Sequence, residues 1–342
     1  MNRLLAALVA GVLLAGSAGC SEDPDDPSDT TSQHDRKSER ASERKTEKPG
    51  EPGEPGEQDS TAEPSGEPLP SAPPVTAEFV PATSARELAA RLTTAEDLVR
   101  DRSADEDVLQ AAAFEAQLLY RQLARTPAWE QVVRSGVPER YRVDVDAHLT
   151  ARRSLRSVLS TLSDELPAWR IIDPASTADL LRFYREGERT YGVSWEVLAA
   201  INLVETGFGK IRGLSTAGAQ GPMQFIPSTW AAYGEGDIND PHDSILAAAR
   251  YLAANGGDTA AGIESALYRY NNHPGYVAGI LAYASVVQRD PRALQGLVRW
   301  QIVYLSTIGD LWLPVGYFET SPVPVRQYVR EHPERHLGTA TD

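Results

Sequence analysis

The strongest constraint on what this chain can fold into is where its apolar side chains are missing. Between Ser21 and residue 78 the sequence is Pro, Glu, Ser, Gly and Asp with almost no large apolar side chain. Such a segment cannot bury enough surface to offset the entropy of ordering, so 21–78 is predicted to be a disordered tether. Folding is therefore assigned to the residues beyond it, which leaves room in 342 residues for one large domain or two small ones. Over Ser21–Val75 there are 15 acidic and 6 basic residues, a net −9 of the chain's −15. More than half of the acidic excess thus lies outside the part expected to fold. No basic face compensates it, which argues against a nucleic-acid partner.

The first twenty residues have a basic start at Arg3, an apolar run from Leu4 to Leu14 and small residues before Cys20. This is the architecture of a signal peptide, and the run is too short to span a bilayer as a helix. Ser17, Ala18 and Gly19 before Cys20 resemble a bacterial lipobox, although Ser17 stands where Leu is usual. The resemblance implies that Cys20 is lipidated and that the protein is extracytoplasmic, anchored to the membrane facing the cell wall. The alternative is an ordinary secreted protein with a free thiol. Cys20 is the single cysteine, so no intrachain disulfide can form. As a flexible coil the segment 21–78 would reach roughly 40 Å, at about 5–6 Å × √n.

From Ser84 the pattern turns helical. Leu88, Leu92, Ala95 and Val99 share one helix face, and Leu109, Ala113, Ala116 and Leu119 share another. Pro127, Gly136 and Pro138 punctuate the turns, and a further helix is expected over Asp144–Leu162, before Pro167. Helices are also expected over Ser176–Tyr191, from an N-cap at Ser194 to Thr206, after an N-cap at Asp243 to Gly256, over Ile263–Tyr270 and over Val277–Val287. The apolar, aromatic stretches Arg299–Leu305 and Leu311–Phe318, with a turn at Ile308-Gly309-Asp310, read as a β-hairpin whose second strand is kept at an edge by Pro314.

One acid stands out. Glu205 lies in the last turn of an apolar helix carrying Trp195, Leu198, Ala199, Ile201 and Val204, just before Gly207 and Gly209. A carboxylate there faces the negative end of the helix dipole and apolar neighbours, and both disfavour the anion. A proton held near neutral pH is what a general acid requires. Taken alone, the position reads first as a solvated Glu at a frayed helix end.

Its surroundings are more specific. VETGFG (204–209), STAGAQGPMQFIPSTW (215–230), DSILAAARYLAANGG (243–257) and YRYNNHPGY (268–276) fall in order. With these motifs the chain resembles the lytic transglycosylases, relatives of goose-type lysozyme. The resemblance implies a mainly α, lysozyme-like domain over 173–290, with an N-terminal helical region over 79–172 and a C-terminal hairpin and tail over 291–342. It implies Glu205 as catalytic acid/base, with Ser215, Gln224, Tyr270 and Asn271 binding substrate and Tyr270 orienting either the acetamide or Glu205. Gly218, Ala219 and Gly221 are expected to be small so that backbone can pass close to sugar or to the catalytic helix. Thr206 departs from the Ser that many members carry after the Glu.

The implied reaction cleaves the bond between N-acetylmuramic acid and N-acetylglucosamine in peptidoglycan without water. Glu205 protonates the bridging oxygen, the muramic acetamide supports the cation, and the sugar's own 6-hydroxyl closes a 1,6-anhydro ring. The partners implied are glycan strands and a membrane, with other cell-wall enzymes as candidates, and no cofactor or metal. Two rivals stay open: a hydrolytic muramidase, for which Asp237, Asp240 or Asp243 would have to activate water, and a non-catalytic wall-binding lipoprotein. The acidic loop 234–243 lacks EF-hand spacing and reads as a capped loop. His332 and His336 lack the Glu of a zinc-protease motif and read as tail, and His273 reads as an incidental loop histidine.

Overall fold

Ser84 opens the first helix with its side chain, accepting a hydrogen bond from the Glu87 amide at 3.2 Å. The computed structural model describes residues 79–338. The signal peptide, the tether and the lipidation site at Cys20 fall outside the described residues.

The first helices are α1 (Ala85–Val99), α2 (Glu106–Arg125), α3 (Glu130–Gly136) and α4 (Glu139–Ser157). The faces expected from periodicity are the buried ones, with Leu88, Leu92, Ala95 and Val99 inside on α1 and Leu109, Ala113, Ala116 and Leu119 on α2. Helix α4 begins five residues before the expected start, because Pro138 sits at its N-cap with the preset φ that starting a helix needs, and it ends at Ser157 rather than Leu162. Two-residue strands β1 (Glu165–Leu166) and β2 (Arg170–Ile171) follow.

The middle of the chain folds as α5 (Thr177–Tyr191), α6 (Trp195–Thr206), β3 (Ile211–Arg212), α7 (Pro227–Tyr233), α8 (Pro241–Ala254), α9 (Ile263–Tyr270) and α10 (Pro274–Arg289). Two caps differ from expectation. Ser194 occupies the N-cap of α6, but its hydroxyl goes to the Glu196 carboxylate at 2.5 Å rather than to a backbone amide. Asp240, not Asp243, caps α8, accepting from the amides of His242 and Asp243, and Pro241 takes the first helical position. The chain closes with α11 (Ala293–Arg299), β4 (Ile302–Ser306), β5 (Gly309–Leu313), β6 (Val323–Pro324) and α12 (Val325–Glu331). The expected hairpin is β4–β5, paired antiparallel from Ile302↔Leu313 to Ser306↔Gly309. Both strands are shorter than the apolar runs that announced them. Arg299 ends a helix, and the chain leaves the ladder at Pro314, which has no amide to donate.

One buried cluster runs from Ala82 to Tyr328, so the N-terminal helices, the middle segment and the C-terminal elements share a core. The tail is built into it: β6 pairs with β1, and His336 Nε2 lies 3.0 Å from the Ile308 carbonyl oxygen. Helix α10 packs along α4 on one side and α6 on the other. A buried ionic knot fixes the first of these contacts. Arg100 donates to Asp144 at 2.9 Å, to Asp290 at 3.0 Å and to Glu96, and Arg289 of α10 reaches Asp144 at 2.7 Å.

The α4–α10 approach is close because Gly279 has no side chain. A Cβ there would lie 2.4 Å from Leu155 Cγ, and Leu155 is fully buried. Gly279→Ala is therefore expected to destabilise the fold by about 1–3 kcal/mol, as overpacking does. Urea unfolding checks this, and an unchanged midpoint would refute the tight contact.

Candidate active site

The site is built at the C-terminal end of α6. Gly207 ends that helix in the left-handed conformation (φ 61°), with its amide bonded back to the Leu203 carbonyl. Glu205 is thereby held in the last helical turn, only 5% exposed. Tyr276, at the start of α10, donates its hydroxyl to Glu205 Oε1 at 2.7 Å. Burial pushes the Glu205 carboxyl well above the ordinary range, and the Tyr276 hydrogen bond opposes this more weakly. The frayed, solvated glutamate is thus not what the structure contains.

The turn after the helix is pinned to it. The Pro222 carbonyl accepts from Asn202 Nδ2 at 2.9 Å and from Thr206 Oγ1 at 2.6 Å, and Tyr184 fixes the Asn202 side chain from behind at 2.7 Å. The next carbonyl, Met223, accepts from the Tyr270 hydroxyl at 2.6 Å. Thr206 Oγ1 also accepts from the Gly209 amide at 2.9 Å, a bond that a serine hydroxyl would make equally well. Gln224 then adopts φ 53°, a left-handed backbone uncommon for a residue with a side chain, and its Nε2 bonds the Gly221 carbonyl at 3.0 Å. Strain of that kind concentrates at functional sites.

Glu205, Gln224, Phe225, Ile226, Thr229, Tyr251 and Tyr270 line one small pocket. Glu205 is the one carboxyl in that lining, and Gln224 its one amide side chain. The aromatic wall is ordered by ring contacts: Tyr270 meets Tyr251 edge-on at 5.4 Å and lies parallel to Tyr276 at 6.3 Å.

The sequence-predicted residues take different places. Glu205, Gln224 and Tyr270 share the pocket. Tyr270 does not bond Glu205; that contact belongs to Tyr276, six residues on. Ser215 is buried, and its hydroxyl accepts from the Ala217 and Ala219 amides at 3.1 and 2.9 Å, closing its own turn. Asn271 ends α9 with its Nδ2 buried and without a hydrogen-bond partner. At Gly221 a Cβ would meet the Ile238 carbonyl oxygen at 1.9 Å, so the loop at Ile238 itself requires glycine there. Gly218 meets no protein atom with a Cβ but has a φ of 78°, a conformation that favours glycine.

Asp240, His242 and Asp243 gather closely enough for a cation. Their groups already serve the fold: Asp240 caps α8, Asp243 accepts from the Asp237 amide at 2.9 Å, and His242 Nε2 lies 3.1 Å from Glu186. Lys210, just past the site, is buried and pushed down to about 7. It donates to the carbonyls of Gly207 and Val298, tying the end of α6 to α11.

The stretch that carries this buried acid and glycine-rich turn is also the one that matches known proteins. The Transglycosylase SLT domain family matches residues 182–289. That segment belongs to the SLT domain family. Its fold is accordingly lysozyme-like and mainly helical, with small strands beside it. "Membrane-bound lytic murein transglycosylase F" of Thiobacillus denitrificans (strain ATCC 25259 / T1) is 29% identical over 139 residues, which is 39% of this chain. The chain spans only 29% of that protein's length. No solved structure matches. Asn202 and Tyr276 of this segment escaped the sequence reading, and Thr206 entered it only as a departure from the usual Ser. Tyr276 lies inside the YRYNNHPGY motif, but nothing in the string tells which of its tyrosines reaches Glu205.

The raised carboxyl has a measurable consequence. An unfolded Glu titrates near about 4.3. Above that pH the unfolded state loses the proton while the folded state keeps it, so stability falls as pH rises toward the folded value. Glu205→Gln removes this linkage and keeps an acceptor for Tyr276. The variant is expected to be more stable than wild type at neutral pH, with the gap closing toward pH 4. Lys210 is common to both and cancels from the difference. A gap that stays constant with pH would refute burial of the acid form.

Proposed function

We propose that the protein is a peptidoglycan lytic transglycosylase, cleaving the bond from N-acetylmuramic acid to N-acetylglucosamine and leaving 1,6-anhydromuramic ends. The observation that carries this reading is the single carboxyl of the pocket, buried and biased to its acid form. Glu205 donates its proton to the bridging oxygen as the bond breaks. The resulting carboxylate is stabilised by the Tyr276 hydroxyl, so the group is competent in both protonation states. It then takes the proton of the 6-hydroxyl as that oxygen closes on C1. The acetamide of the sugar supports the positive centre, and no carboxylate nucleophile is needed.

Gln224 stands in the pocket to bond sugar hydroxyls, and Tyr270 and Tyr251 offer flat faces to the rings. Asn271 Nδ2, buried without a partner, is the donor best matched to the acetamide oxygen, since an unanswered buried donor costs about 1–3 kcal/mol until a ligand meets it. Ser215 acts by shaping its turn. The relative's name, a membrane-bound murein enzyme, agrees with this substrate and with anchoring through a lipid on Cys20.

The muramidase alternative is disfavoured by the places of its candidate bases. An inverting hydrolase needs a second carboxyl roughly 6.5–9.5 Å from the acid. Asp240 and Asp243 are engaged in helix capping and loop closure, and neither they nor Asp237 line the pocket.

Mass spectrometry of fragments released from peptidoglycan tests the reading. Wild type is expected to give anhydro ends, lighter by one water than hydrolytic ends. Glu205→Gln should lower the rate by about 10²–10⁴, the worth of a positioned general acid. Reducing ends from wild type would mean a hydrolase, and no release with retained glycan binding would mean a wall-binding protein.

A further inference from the structure

We infer that the ribbon beside the pocket is a second substrate contact, one that recognises the carboxylates of the peptide stems on the glycan strand. The inference rests on the transglycosylase reading above and adds to it the residue that would read the stem.

Strand β2 is flanked on both edges. On one side it pairs with β3, placing Arg170 opposite Arg212 and Ile171 opposite Ile211. On the other it meets the segment 316–319, where Ile171 donates to the Tyr317 carbonyl at 2.8 Å, Glu319 to the Trp169 carbonyl at 2.9 Å, and Arg170 lies opposite Phe318. Strand alternation sends Ile171, Ile211 and Tyr317 inward, where all three are buried, and Arg212, Arg170 and Phe318 to the other face. Two arginines and a phenylalanine therefore run side by side across the two strands and the flanking segment.

This row is unfavourable for the fold by itself. Like charges directly opposite on paired strands repel. Arg212 has compensation: its guanidinium bonds the Asn239 carbonyl at 2.7 Å and feels Asp237 and Asp240. Arg170 has none. It is exposed and forms no ion pair or side-chain hydrogen bond among the described residues. Glu319, the nearest acid along the flanking strand, is carried to the inward side by alternation. Phe318 is 63% exposed, among the most exposed large apolar side chains described. An unpaired guanidinium between a second arginine and an open aromatic ring suits a carboxylate borne on a short peptide.

The ribbon is linked to the pocket through the turn that follows it and through the 238–239 loop. Arg212 leads through Gly213 and Leu214 into the Ser215 turn, and Leu214 is itself 61% exposed. The loop that holds Arg212 at Asn239 also presses its Ile238 carbonyl against Gly221, whose own carbonyl anchors the Gln224 side chain. A strand lying in the pocket would thus carry its stem peptides toward this face. The chain's net charge is −15, so an unpartnered Arg170 beside the Asn239-bound Arg212 is a local exception that matches an acidic ligand.

The test compares peptidoglycan bearing its stems with the same strands stripped of stems by an amidase, using the full chain. Arg170 is exposed and unpartnered, so Arg170→Ala should fold normally. It is expected to lower kcat/KM three- to tenfold on stem-bearing strands and leave stripped strands unchanged, with Arg170→Lys restoring most of the loss. Equal loss on both polymers, or on neither, overturns the inference. Binding of a soluble stem peptide to the Glu205→Gln protein, followed by NMR, needs no turnover. If wild type cleaves neither polymer, weaker peptide binding by Glu205→Gln/Arg170→Ala still supports the contact, and equal binding refutes it.

Discussion

The hydrogen bond from Tyr276 to a buried Glu205 is the contact around which the rest of the molecule is arranged. It joins the end of α6 to the start of α10, and it exists only because α10 is held against both α6 and α4. The Gly279–Leu155 approach and the Arg100–Asp144–Arg289 knot set that position from the far side. The N-terminal helices thereby serve the site without touching it, because α4 is the surface on which α10 is laid.

A buried carboxyl is costly unless something answers it. Here the cost is met by keeping the group in its acid form, with one phenolic donor ready for the anion. One hydrogen bond is enough to make the anion accessible during a reaction and too little to make it the resting state. Glu205 differs in this from an acid such as Asp310, which is paired with Arg121 and Arg125. Lys210, buried nearby, bonds carbonyls and leaves the carboxyl alone.

Much of this was legible in the sequence where one element decides the outcome. Helix faces followed from the spacing of Leu88, Leu92, Ala95 and Val99, and the end of α6 from Gly207. What depended on a partner distant in sequence was not legible. Asp243 and Asp240 are both good capping residues, and only the fold selects Asp240. Ser215 and Gln224 lie in one motif, yet one hydroxyl closes a turn and one amide faces a pocket. The choice of Tyr276 over Tyr270 depends on where α10 starts relative to α9. That geometry is set by Pro274 and by packing on α4, which no local pattern records.

The central claim is that the Glu205 carboxyl keeps its proton in the folded protein at pH values where ordinary glutamates have lost theirs. Its most direct test is an NMR titration of the ¹³C-labelled glutamate carboxyls, with the Glu205 resonance assigned by its loss in Glu205→Gln. The account requires one carboxyl that titrates well above the others and is missing from the variant. If Glu205 titrates together with the exposed glutamates, near about 4.3, the group is an ordinary surface acid and the reading of this site as a proton donor fails.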